Sequence, residues 1–168
     1  MSRNEDRIVR FSGMKSGIYT YRITLDDDFF QAFENEEIEG GKVDYTVKME
    51  RSERVTMLTF SFAGEVITQC DRCLGRMTVK VEGEESLNVR FSDTEQTTDE
   101  SSVVLPEDAH ELDLSPWLYE YVAVRLPMQH THPEGECDPE MTKYLAKEEN
   151  AHPSDYTDPR WEALKELK

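Results

Sequence analysis

The first half of the chain alternates apolar and polar residues. Residues 18–25 place apolar side chains at every second position, and the same alternation recurs in four later segments: 43–49, 58–62, 77–81 and 87–91. This period of two is typical of strands with one buried and one solvated face. The pattern therefore predicts an antiparallel sheet that contributes one face to the core.

Turn signals divide this region into short strands. The polar residues 51–54 separate two alternating segments and predict an antiparallel hairpin. Gly64 predicts a bulge or bend, and Gly83 predicts a turn between two strands. From about Arg7 to Val104 we expect an antiparallel β-meander that could close into a barrel.

Capping signals predict the helices. Asp26 precedes acidic residues and Phe29 at helical spacing, which predicts one short helix. In the last third, a capping residue precedes proline three times, at 115–116, 138–139 and 158–159. Proline at the first helical position lacks only a donor that the helix would leave unpaired. The expected helices span 116–126, 139–148 and 159–168, so the predicted fold class is α+β.

We expect one domain over residues 1–168, with a β-rich part at 1–91, an acidic loop at 92–114 and a helical part at 115–168. Eight acidic residues and no Lys or Arg lie between Ser92 and Ser115. The first half of this segment has the composition of a flexible loop. Its second half is more apolar and predicts a short strand at 103–105 that docks on the sheet.

The charge of the whole chain bears on its partners. Acidic residues number 36 and Lys plus Arg 19, which gives a net charge of −17. Such a surface repels nucleic acid and anionic membranes and attracts basic proteins; alternatively, it serves only solubility. No apolar run is long enough to cross a bilayer, and the first residues lack a signal-peptide core. The expected location is the cytoplasm, where thiols stay reduced.

Three cysteines provide the candidate chemistry. Cys70 and Cys73 are separated by two residues, which lets one tight turn direct both sulfurs at one ion. His132 and Cys137 supply a second pair, and together the four residues make a Cys3His set suited to structural Zn²⁺. Spacing alone does not decide between His130 and His132. Cys137 directly precedes Asp138 and Pro139, where the second of these helices is predicted to begin, and the N-terminus of that helix should favour the thiolate form of Cys137.

Other interpretations of the cysteines stay open. A redox Cys-x-x-Cys pair normally lies where a strand leads into a helix, whereas strand-like sequence flanks Cys70 and Cys73 on both sides. A catalytic pair of Cys137 with a histidine has no accompanying nucleophile elbow. The cysteines could also be reduced, metal-free thiols buried in a turn.

At these residues the chain resembles the YceD family of bacteria and organelles. The resemblance rests on VITQCDRCLGRMTVKV, LPMQHTHPEGECDPEM and the ending DPRWEALKELK. The opening FSGMKSGIYTYRITLDDDFF is compatible with a Bacteroides-like branch. Members are named for accumulation of the large-subunit ribosomal RNA, so the resemblance implies a role in large-subunit biogenesis. The resemblance implies that the four positions of the Cys3His set match the family's motif: Cys70, Cys73, His132 and Cys137.

Resemblance and charge together predict a non-enzymatic ribosome biogenesis factor that binds a basic ribosomal protein or assembly factor. Direct RNA contact is not favoured at a net charge of −17. The alternative is a small metal- or thiol-dependent hydrolase that acts on RNA or protein. The coordination shell discriminates between the two, since a catalytic zinc keeps one position open and a structural zinc has four protein ligands.

Overall fold

The computed structural model describes residues 5–33, 37–52, 55–94 and 101–149, with side chains for those between 6 and 144. The helix expected at 159–168 and the acidic residues Glu95, Asp99 and Glu100 lie outside these ranges. The chain divides into two compact units. The sheet unit comprises Met1–Gln69 and Arg76–His130, and the cysteine unit comprises Cys70–Gly75 and Thr131–Lys168.

Seven strands build the sheet unit within the described ranges. They are β1 (Ile8–Arg10), β2 (Gly17–Leu25), β3 (Gly40–Arg51), β4 (Val55–Gln69), β5 (Arg76–Phe91), β6 (Ser102–Leu105) and β7 (Glu111–Asp113). Five of them form one sheet in the order β2-β3-β4-β5-β6, and β1 pairs with β7 in a separate two-stranded sheet. All pairings are antiparallel except that of β5 with β6, which is parallel.

The main sheet is open. Strands β2 and β6 form its two edges and are not paired with each other in the part of the chain that the structure describes. The expected closure into a barrel is therefore wrong, while the α+β class and the mainly antiparallel sheet are confirmed. The short strand expected at 103–105 is present as β6. It pairs in parallel with the last four residues of β5, from Asn88 to Phe91.

The alternation in the sequence matches the buried face of the sheet. Val43, Tyr45, Val47 and Met49 on β3 are buried, and the residues between them are exposed. On β4, Leu58, Phe60 and Phe62 are buried in the same way. Because the side-chain period of a strand is two, this register puts the apolar face of the hairpin into the core.

Two glycines serve close packing rather than turns. Gly83 lies inside the continuous strand β5 opposite Phe62, so the turn expected there is wrong. A Cβ at Gly83 would lie 2.9 Å from Nε of Arg125 and 3.0 Å from Cζ of Phe62. Gly64 pairs with Val43 in unbroken register, without the expected bulge. A Cβ there would lie 2.2 Å from the carbonyl oxygen of Lys42.

Three α-helices lie in the described part of the chain: α1 (Asp27–Gln31), α2 (Ser115–Ala123) and α3 (Pro139–Glu149). The carboxylate of Asp26 caps α1 by accepting the N–H of Phe29, as expected. Helix α2 begins one residue earlier than predicted, with Leu114 as its cap. The carboxylate of Asp113 accepts the N–H of Ser115 at 2.9 Å. None of the described helices is long and apolar enough to cross a membrane.

Helix α2 completes the core of the sheet unit. Its Leu118 and Val122 are fully buried. The hydroxyl of Tyr45 donates to the carbonyl oxygen of Leu118 at 2.8 Å, and the rings of Phe60 and Tyr121 meet edge to face at 5.2 Å. A buried hydroxyl with a partner avoids the cost of an unpaired polar group.

Candidate metal centre

The first half of the site is the loop 70–75, which follows β4 and precedes β5. The N–H of Cys70 donates to the carbonyl oxygen of Gly75, and the N–H of Leu74 donates to that of Cys70, both at 2.8 Å. Leu74 adopts φ 58°, the left-handed conformation that a bulky side chain rarely takes. This tight turn brings the Cys70 and Cys73 side chains together at the base of the loop.

The second half of the site is the segment that leads into α3. Pro133 and Glu136 form a turn in which the N–H of Glu136 donates to the carbonyl oxygen of Pro133 at 3.1 Å. Asp138 caps α3 as predicted, since its carboxylate accepts the N–H of Glu140 at 2.8 Å. The turn and the capped helix hold Cys137 between them, and Cys137 is buried.

The fold brings the four sequence-predicted residues into one cluster. Their ligand atoms, three sulfurs and one imidazole nitrogen, all lie within 4.8 Å of one another. Sγ of Cys70 lies 3.9 Å from Sγ of Cys137, and Sγ of Cys73 lies 3.3 Å from Nδ1 of His132. Sulfurs bound tetrahedrally at about 2.3 Å from zinc would be roughly 3.8 Å apart. The donor set and its spacing are therefore compatible with a bound metal ion.

The structure separates the two candidate histidines. His132 lies in the cluster through its Nδ1 atom. His130 instead belongs to the sheet unit, where Nε2 lies 3.2 Å from Oγ1 of Thr68 and Nδ1 lies 3.2 Å from the carbonyl oxygen of Pro127. Spacing in the sequence did not make this distinction; packing does.

Backbone N–H groups set the charge state of Cys70. Burial alone raises the pKa of a thiol, because it disfavours the thiolate. Here the N–H groups of His132, Cys73 and Arg72 outweigh burial and lower the pKa of Cys70 to about 6. The N–H groups of His132 and Arg72 each lie 3.4 Å from its sulfur. Cys70 is thus poised as a thiolate, the form that binds metal.

The thiol pKa values of Cys73 and Cys137 shift in opposite directions. The N–H groups of Asp138 and Gly75 lower the pKa of Cys73. For Cys137, burial and the neighbouring sulfurs of Cys70 and Cys73 raise the pKa. The expectation that the helix N-terminus favours the Cys137 thiolate is therefore wrong. The N–H at the start of α3 serves Cys73, the cysteine that faces it from the other segment.

Arg72 also lies at the cluster, and the sequence did not predict this. Nη1 of Arg72 lies 4.0 Å from Sγ of Cys137, so a positive charge stands beside this sulfur. Arg72 lies between Cys70 and Cys73 in the sequence, and that position was its only signal. Its direction towards the other segment depends on the fold of the turn.

The architecture defines a small α+β protein whose Cys3His cluster joins two segments about sixty residues apart. The chain belongs to the YceD family, because the sequence model of that family, described as large ribosomal RNA subunit accumulation protein YceD, matches residues 58–168. The match includes all four residues of the cluster and leaves out β1, β2 and β3. The description names an accumulation factor for ribosomal RNA and not an enzyme. Searches of curated proteins and of solved structures found no match.

Proposed function

We propose that this protein is a non-enzymatic factor of large-subunit ribosome biogenesis that acts in the cytoplasm. It supports accumulation or processing of the large-subunit ribosomal RNA. The observation that carries the proposal is the family match over residues 58–168, which spans the entire cluster. The cytoplasmic location follows from the site of large-subunit assembly that this description implies.

In this proposal, Cys70, Cys73, Cys137 and His132 hold one structural Zn²⁺. The donor set supports this assignment, because soft thiolates and an imidazole suit zinc and complete a tetrahedral shell. Four protein ligands leave no open position for water or substrate, which favours a structural role over a metal-dependent hydrolase. Elemental analysis of untagged protein, purified without added metal, should find close to one equivalent of zinc. Near-zero metal with three freely titrating thiols would refute the assignment.

The proposed partner is a basic ribosomal protein or assembly factor. Glu107, Asp108, Glu111 and Asp113 are all exposed on and before β7. The carboxylate of Asp93 accepts the N–H of Glu107 at 3.2 Å, which brings the beginning of the acidic segment next to this group. In a chain of net charge −17, such a group adds to a negative field that attracts a basic surface within a Debye length of about 8 Å at physiological salt.

A capture experiment tests the partner class. The native protein is used as bait in a lysate, with and without RNase, and captured proteins are identified. Large-subunit proteins that survive RNase treatment are the expected result. Loss of every ribosomal protein on RNase treatment would contradict direct protein binding and point to RNA as the contact.

Neutralising two of these acidic residues then tests whether the acidic group around β7 binds the partner. The double variant Glu107→Gln with Asp108→Asn should weaken binding to a captured ribosomal protein several-fold and flatten its salt dependence. The matched control is Glu65→Gln with Glu82→Gln, which removes the same charge from exposed positions on β4 and β5. Equal effects of the two double variants would show that only net charge matters and would contradict a local binding surface.

A further inference from the structure

The three sulfurs of the cluster have unequal surroundings. Cys70 accepts N–H groups from Arg72 and His132, and Cys73 accepts those of Gly75 and Asp138. Within the described ranges, no backbone N–H donates to the sulfur of Cys137. Its sulfur lies 3.9 Å from Sγ of Cys70 and 4.0 Å from Nη1 of Arg72, within the same cluster as Cys73 and His132.

This difference affects how each sulfur carries charge. Three thiolates and one imidazole around a divalent ion leave a net charge of −1 on the centre. Hydrogen bonds to a coordinated sulfur withdraw electron density from it, and such outer contacts tune metal sites. For Cys137, the guanidinium of Arg72 is the positive group placed to provide this compensation, at 4.0 Å from the sulfur. Arg72 therefore serves both segments, with its N–H on Cys70 and its side chain beside Cys137.

We propose that Arg72 is a positioning residue of the metal centre, and that Cys137 is its exchangeable ligand. The guanidinium balances the charge on Cys137 and slows its release from the metal. This inference rests on the zinc centre proposed above. All three cysteines are buried, with exposed fractions of 0% for Cys70, 5% for Cys73 and 7% for Cys137, so differences among their reaction rates report on the groups around each sulfur.

Site-resolved alkylation of the zinc-loaded, full-length protein tests this order. With limiting iodoacetamide, the reacting cysteine sulfur attacks the methylene carbon and forms a sulfur–carbon bond while iodide leaves, and peptide mass spectrometry identifies the modified residue. In the wild type, Cys137 should be modified first. Arg72→Gln should speed modification of Cys137 several-fold, and it should speed zinc transfer to a chromogenic chelator by a similar factor.

Two further variants isolate the side-chain charge. Arg72→Lys keeps the positive charge and should restore the slow rates in part. Lys143→Gln removes an exposed positive charge from α3 of the same unit and should behave as the wild type. Every variant at position 72 retains the backbone N–H that donates to Cys70, so differences among them report on the side chain.

A spectroscopic measurement provides a signal that general loosening would not produce. In the Co²⁺-loaded protein, Arg72→Gln should move the thiolate-to-cobalt charge-transfer band to longer wavelength, and Arg72→Lys should move it back. First modification at Cys70 or Cys73, or equal acceleration at all three sulfurs, would overturn the inference while leaving the zinc centre intact. A protein that binds no metal would instead refute the zinc centre itself.

Discussion

The sheet unit and the cysteine unit are each stabilised internally by a different kind of interaction. The sheet unit buries large side chains completely, among them Tyr45, Phe29, Phe60 and Leu118. In the cysteine unit, the buried side chains among those described are Cys70, Cys73 and Cys137. The first unit thus has a hydrophobic core, whereas the buried side chains described for the second are the three cysteines of the cluster.

The magnitudes explain why this contrast matters. Full burial of one large apolar side chain stabilises a fold by about 1.5–3 kcal/mol, and the sheet unit has many of them. Helix α3 instead exposes Tyr144 to 70% and Met141 to 37%. Small units that cannot bury enough apolar area commonly depend on a metal. Structural zinc contributes on the order of 10 kcal/mol in small peptides.

Metal removal should give the largest difference in stability between the two units. Treatment with a strong chelator should abolish amide protection in residues 70–75 and 131–149 while β3 and β4 stay protected, because the described side chains of the cysteine unit form no apolar core. Hydrogen exchange with mass spectrometry measures both regions in one experiment.

Cys73→Ser provides a genetic version of this test. Removing one thiolate from the cluster should give the same regional loss of protection without a chelator. Uniform deprotection of the whole chain, or no change, would contradict the assignment of separate stabilising forces to the two units.

Phe60→Ala should have the opposite regional effect. Phe60 is fully buried and contacts the ring of Tyr121, so truncation leaves a cavity that costs about 3–5 kcal/mol. Urea denaturation of the sheet unit measures this loss, and the zinc content of the folded protein should not change. Phe60→Leu, which keeps most of the volume, is the matched control and should cost less than about 1.5 kcal/mol. Loss of zinc in Phe60→Ala would argue against independent units.

Gly64→Ala should destabilise the sheet unit by a smaller amount. The added Cβ would lie 2.2 Å from the carbonyl oxygen of Lys42 and 2.6 Å from Cα of Val43, so β3 and β4 must separate locally. We expect a loss of about 1–3 kcal/mol in chemical denaturation. Gly17→Ala is the control, because the nearest atom to its Cβ would be 3.8 Å away. Equal stability of the two variants would contradict the close approach of the strands.

Leu74→Asn should give the smallest effect, an increase in stability confined to the cysteine unit. Leu74 is 63% exposed and has φ 58°, so it gains little from burial and bears the strain of the left-handed region. Asparagine tolerates that region better, and we expect a gain of up to about 1 kcal/mol. The half-time of zinc loss to a chelator measures it. Leu74→Ala keeps the strained Cβ and should not lengthen this half-time; a loss of zinc in Leu74→Asn would show that the leucine side chain stabilises the turn.

Local signals predicted most of the sheet and the identity of the cluster. The alternation at 18–25 and 43–49 became β2 and β3, and Asp26 and Asp138 cap their helices as expected. The spacing of Cys70 with Cys73 predicted that both sulfurs lie in one cluster, because a tight turn can bring two cysteines three positions apart together. Such signals involve residues close in sequence, so a single chain is enough to interpret them.

The roles of Gly64 and Gly83 in the structure differ from those that the sequence predicted. The sequence predicted a turn at Gly83 and a bulge or bend at Gly64, because glycine is common in both. In the structure, each lies within a strand and makes room for distant groups, the side chain of Arg125 for one and the backbone of Lys42 for the other. The same residue type has two uses, and only the neighbours in space distinguish them.

The sequence by itself determined the α+β class, the strand faces, the helix starts at 27 and 139, and the residue types that could bind a metal. The tertiary structure alone decided that the sheet stays open and that β6 pairs in parallel. It also decided that His132 rather than His130 lies with the cysteines, and that the guanidinium of Arg72 lies beside the sulfur of Cys137. The physical reason is range: backbone periodicity and capping act over a few residues, whereas these choices depend on contacts between segments up to 67 positions apart.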